Sequence, residues 1–112
     1  MPGVWPPVTI GGRRYVDGGV RSIANADYAA GASRVLVILP LGSEELFPSE
    51  VPLDQAVGRL RADGAEVAII EPDEASLAAI GTNALDPATR QPAAAAGRAQ
   101  GRGLKIQWSR DE

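Results

Sequence analysis

The residues that can do chemistry here are few, and the most conspicuous is an acid on a corner. Asp17 stands directly before Gly18 and Gly19, in "RRYVDGGVRSIANADYAAGA", residues 13 to 32. Taken alone, Asp-Gly-Gly after a strand is turn chemistry: the carboxylate bonds its own backbone and a glycine takes positive φ. Asn25, eight residues on, reads as the N-cap of a short helix, with orientation of the Asp17 loop as the other reading. Other polar groups are open to two readings each. Arg13 and Arg14 face an anionic headgroup or simply form the solvated side of a hairpin. Glu44, Glu45 and Glu50 make a hard-cation site or a solvated loop, and nothing fixes their spacing. Gly11-Gly12 is a phosphate-binding turn or a plain hairpin turn, and the turn needs no ligand. Trp5 and Trp108 face lipid or pack at the chain ends.

What is missing narrows the chemistry further. The 112 residues contain no histidine and no cysteine. The commonest general base is therefore absent, and so are a disulfide framework and a thiolate metal site. Neither a cofactor nor a metal is expected. The net charge is -3, and all but one of the eleven basic residues are scattered arginines, which argues against nucleic acid as a partner. At 45% hydrophobic residues the chain can form a core, and its length suits one domain, here 1–112. No apolar run approaches a membrane span, and "MPGVWPPVTI" lacks the charged and apolar regions of a signal peptide. A cytoplasmic location is the expectation.

The elements that must position these residues follow from pattern. "VTIGGRRYVD" places two short β-prone runs around a Gly-Gly hairpin turn. "ANADYAAGA" predicts a short helix that stops at Gly31. "SRVLVILPL" and "EVAIIEP" predict strands covered on both faces, as parallel strands are. Between them, Leu53, Ala56, Val57 and Leu60 have the spacing of one helical face, closed by Gly64. "DEASLAAIG" predicts a helix with acids suited to its dipole. Asp86 and Pro87 open a C-terminal helical segment, in which Pro92 forces a kink or restart. The order hairpin, helix, strand, helix, strand, helices indicates α/β with a mainly parallel sheet. Two buried strands and a hairpin make a poor sheet on their own, so these strands want neighbours.

The stretch "PPVTIGGRRYVDGGVRSIANADYAAGASRVLVI" closely resembles the second half of the patatin-like phospholipases. There, a "PPV", a short hairpin and a Tyr-x-Asp-Gly-Gly corner precede an asparagine, a helix ending in Gly-Ala and a buried strand. "PGVW" fits the tail of that family's central segment. "GAEVAIIEPD" and "ALDPATRQPAAAAGRAQG" resemble the C-terminal region of bacterial members. The resemblance is specific from residue 6 to about residue 38 and weaker beyond, and Ile23-Ala24 departs from the proline or other small residue many members carry before the asparagine.

The resemblance implies part of a three-layer α/β/α fold and a lipid acyl hydrolase, a serine esterase with a Ser-Asp dyad. Asp17 corresponds to the aspartate of the dyad, supported by Gly18, Gly19 and Asn25. It would act as general base towards a serine in a Gly-x-Ser-x-Gly elbow. A carboxylate can replace histidine in this role if it lies within hydrogen-bond reach of the hydroxyl and is partly desolvated. Two glycines would let the backbone crowd against the nucleophile's turn.

No serine of the chain sits in such an elbow, and no glycine-rich strand-to-helix turn offers an oxyanion hole. The expectation is a C-terminal fragment with one catalytic residue of two, inactive alone. Its partners would be a lipid or acyl-ester substrate in the intact enzyme, with peripheral membrane contact, and further copies of itself. Two other classes remain: a non-catalytic α/β interaction module of the same fold, and a small nucleotide-binding protein. Against the second, no Gly-x-Gly-x-x-Gly or P-loop follows either buried strand.

Overall fold

The computed structural model describes residues 6–44 and 48–108. Trp5, Glu45 and Ser109 lie outside the described residues. The fold is mixed α/β, with two small sheets and three α-helices among the described residues.

The first sheet is the expected hairpin. β1 (Val8–Ile10) pairs antiparallel with β2 (Arg13–Tyr15), with Val8 opposite Tyr15 and Ile10 opposite Arg13. Gly11 and Gly12 both take positive φ, +57° and +79°. A two-residue turn that matches the strand twist requires this, and glycine adopts it at little cost. Arg13 and Arg14 are exposed, as are Val8, Ile10 and Tyr15.

The second sheet is a parallel pair. β3 (Arg34–Ile38) and β4 (Glu66–Ile70) run in register from Arg34 opposite Glu66 to Ile38 opposite Ile70. α1 (Leu53–Ala62) forms the crossover between them. The predicted helical face is the buried one: Leu53, Ala56, Val57 and Leu60 pack against Val35, Val37 and Leu39, with Ala26 at the edge. Period 3.6 meets period 2 across this contact. Full burial of a leucine or valine stabilises by about 1.5–3 kcal/mol, so these eight side chains are the main source of cohesion.

The expectation that both strands are covered on both faces is met for neither: no residue of β4 is fully buried and its Ile69 is exposed, and β3 is covered on one face only. It alternates: Val35 and Val37 are buried, Leu36 and Ile38 are exposed. One sheet face carries α1. The other looks into an open apolar trough of about 1040 Å³, lined among others by Leu36, Ile38, Ile70, Ile80 and Leu104. α2 (Glu74–Ile80) and α3 (Arg90–Gly103) form its far wall.

Gln100 of α3 ties this wall to the end of β4. Its Oε1 accepts from Asp73 N at 3.0 Å and from Ser76 Oγ at 2.9 Å, and its Nε2 donates to the Glu71 carbonyl at 2.7 Å. Asp73 caps α2 by accepting from Ser76 N at 2.8 Å. Asp86 caps a 3-10 turn at Pro87–Thr89, and α3 starts directly after it. Pro92 therefore falls in the first turn of α3, where a missing N–H removes no intrahelical bond. Trp108 is half-buried, with the Arg34 guanidinium 5.5 Å over its ring, so it packs against β3.

Candidate functional site

Asp17 lies two residues beyond β2 and caps a tight 3-10 turn, Gly18–Val20. Its Oδ1 accepts from Gly19 N at 2.8 Å, and its carbonyl accepts from Val20 N at 3.0 Å. The side chain is half-exposed. The first half of the turn reading holds, since the acid does bond its own backbone. The second half is corrected: neither Gly18 nor Gly19 has positive φ, because both lie in the 3-10 turn rather than in a left-handed corner.

Gly18 is not required by space either. Among the described residues, a Cβ built there would meet only Asn25 Nδ2, at an ordinary 3.7 Å. Among the described residues, neither conformation nor crowding demands a glycine at that exposed position.

Asn25 departs from its expected role. It stands at the cap position of a 3-10 helix, Ala26–Ala29, but its side chain makes no cap bond. The reason is its backbone: φ +48° puts it in the left-handed region, which asparagine tolerates better than most residues, and its amide turns back onto the preceding loop. Nδ2 donates to the Gly18 carbonyl at 3.3 Å and to the Ser22 carbonyl at 3.2 Å. The orienting role is the one the geometry supports. Gly31 ends this short helix with φ +95°, as expected.

Sequence reasoning missed four residues that complete the loop: Arg21, Ser22, Asp27 and Tyr28. The Arg21 guanidinium forks onto Asp27, with Nη1 to Oδ1 at 2.8 Å and Nη2 to Oδ2 at 2.5 Å. Nη1 also donates to Asn25 Oδ1 at 2.8 Å, and the group lies 4.6 Å over the Tyr28 ring. Ser22 is 1% exposed, and its Oγ accepts from Asn25 N at 3.2 Å. So the serine nearest to Asp17 in sequence is enclosed and engaged in structure, not presented as a nucleophile. The only written signal was Arg21 followed by Asn25 and Asp27 at four and six residues, in a segment that is not α-helical.

The Arg21 pair also sets a pH response. Hydrogen bonds from Arg21 hold the Asp27 carboxyl below its ordinary value of 3.8, and Asp27 in turn raises Arg21. A depressed acid contributes stability that is present above its unfolded pKa and lost as pH falls through the folded one. Both side chains are about a third exposed, so solvent screens the pair. The loop's amide protection should hold from neutral pH down to about pH 4 and fall below it. Asp27→Asn should remove this dependence, which amide exchange across the acid range checks.

Among the described residues, no group of three or more potential ligands is placed to hold a metal ion. Nor is any helix long and apolar enough to cross a membrane. Asp17 is not among the residues lining the apolar trough. No family model, curated protein or solved structure matches the chain.

Proposed function

We propose that this chain is the C-terminal part of a patatin-like lipid acyl hydrolase, and that Asp17 is its general base. The observation that carries the reading is the presentation of Asp17. Its half-exposed carboxylate accepts from Gly19 N–H at the head of a tied loop, beside an exposed Gly18 that the described residues do not require. A second segment approaching closely at Gly18 would account for the glycine. The β3 face left uncovered in the trough is further surface that such a segment would fill.

In the complete enzyme a serine outside this chain attacks the acyl ester while Asp17 accepts its proton. Asp17 passes that proton to the departing alkoxide, which leaves as the alcohol, and an acyl-enzyme remains. Asp17 then takes a proton from water as the water attacks the acyl carbonyl, and returns it to the serine oxygen as the acid is freed. The three-layer α/β/α fold belongs to this proposal, with the present two strands as part of a larger parallel sheet.

The second reading is a non-catalytic α/β interaction module. The apolar trough favours it, and so does the fact that an aspartate bonded to the N–H two residues on is also plain turn chemistry. It makes Asp17 a stability residue only.

The test compares this chain with a polypeptide extended upstream. The coding region preceding Met1 should encode Gly-x-Ser-x-Gly and a glycine-rich turn. The extended protein should hydrolyse p-nitrophenyl esters, and the 112-residue chain should stay at background. Turnover by the short chain that scales with its concentration and disappears in Asp17→Asn would overturn the half-site reading.

A further inference from the structure

We infer that Arg21 is the positioning residue of the Asp17 loop. This rests on the reading of Asp17 as a general base. The Gly18 carbonyl lies one residue from the carboxylate. It accepts from three donors: Arg21 N at 3.1 Å, Ser22 N at 3.3 Å and Asn25 Nδ2 at 3.3 Å. The first two belong to the turn itself. The third reaches across from Asn25, whose backbone is left-handed and whose amide must therefore be held.

Arg21 holds it. The guanidinium grips Asn25 Oδ1 and both oxygens of Asp27 at once, and lies on Tyr28. Its backbone carbonyl also accepts from Val51 N at 3.2 Å, which fastens the loop to the segment leading into α1. The planar fork suits this task, since one group fixes several acceptors in a set geometry. A surface ion pair of this exposure contributes little to global stability. Its effect is local: it fixes the turn that carries Asp17 and so fixes where the carboxylate points. Displacement of a catalytic group by about 1 Å can cost about a hundredfold in rate.

The test uses two variants in two settings. In the serine-bearing protein, Arg21→Gln should lower kcat at least about tenfold and leave KM nearly unchanged, the mark of lost transition-state alignment. Arg21→Lys guards against general loss of fold. It keeps the charge and should fold like the parent, but an ammonium cannot hold three acceptors in one plane, so its kcat should also fall.

In the 112-residue chain, Arg21→Gln should speed exchange of the Ser22 amide about tenfold, while amides of α1 and β3 keep their protection. Full kcat in a folded Arg21→Lys, or unchanged Ser22 exchange in Arg21→Gln, would overturn the inference. If Asp17→Asn abolishes turnover while both Arg21 variants keep it, the base reading stands and the positioning role falls. If Asp17→Asn keeps turnover, both fall.

Discussion

Sedimented at micromolar concentration, the chain alone should run as a dimer or higher oligomer, and Ile38→Glu should shift it towards a single species of 11.6 kDa. The reason lies in what the fold leaves open. The radius of gyration is 16.3 Å, against about 13 Å for a compact domain of this length. Ile38 is 62% exposed on the strand face opposite the core. Leu36 and Leu41 are exposed along the same trough. Each strand of either sheet has a single strand neighbour among the described residues, and open edges and apolar faces both promote association.

A glutamate at position 38 would place a charge in that contact. Because the side chain is exposed in the single chain, the fold itself should tolerate the change. Burying an unpaired carboxylate at an interface should weaken association at least about a hundredfold, or about 2.8 kcal/mol. A wild-type chain that sediments as one 11.6 kDa species and binds no apolar-surface dye would contradict this.

How far the sequence could be read depends on which interactions are local. The hairpin was legible because Gly-Gly between β-prone runs leaves little choice of turn, and both glycines do take positive φ. The face of α1 was legible because Leu53, Ala56, Val57 and Leu60 repeat with the helical period, and these are the buried residues. Asp73 and Asp86 were legible as residues opening helical segments, because a cap is a contact within three residues.

β3 was misread for a different reason. A run of Val, Leu, Val and Ile is apolar on both faces whether or not both faces have cover in the same chain. Composition states what the strand wants, and the structure shows that only the Val35 and Val37 face obtains it here.

The Asp17 loop was half legible. The Asp17 bond to Gly19 N–H is local and followed from residue type. The orientation of Asn25 was not, because it depends on a left-handed backbone and on Arg21 and Asp27, which meet through a fold of the loop rather than through any periodic spacing.

The measurement that tests the account most directly is ester hydrolysis by the serine-bearing protein with Asp17→Asn. Asparagine is nearly isosteric, and its Oδ1 can still accept from Gly19 N, which lies 2.8 Å from the aspartate oxygen. The turn and the Arg21 clamp should therefore persist, with amide spectra and thermal unfolding close to those of the parent. An amide cannot take up the serine's proton, however. The rate should fall by about three orders of magnitude or more, the scale seen when one member of a hydrolytic unit is removed. The account predicts a folded, inactive Asn variant. A folded Asn variant that keeps most of the parent's turnover would contradict it and leave Asp17 as a turn residue.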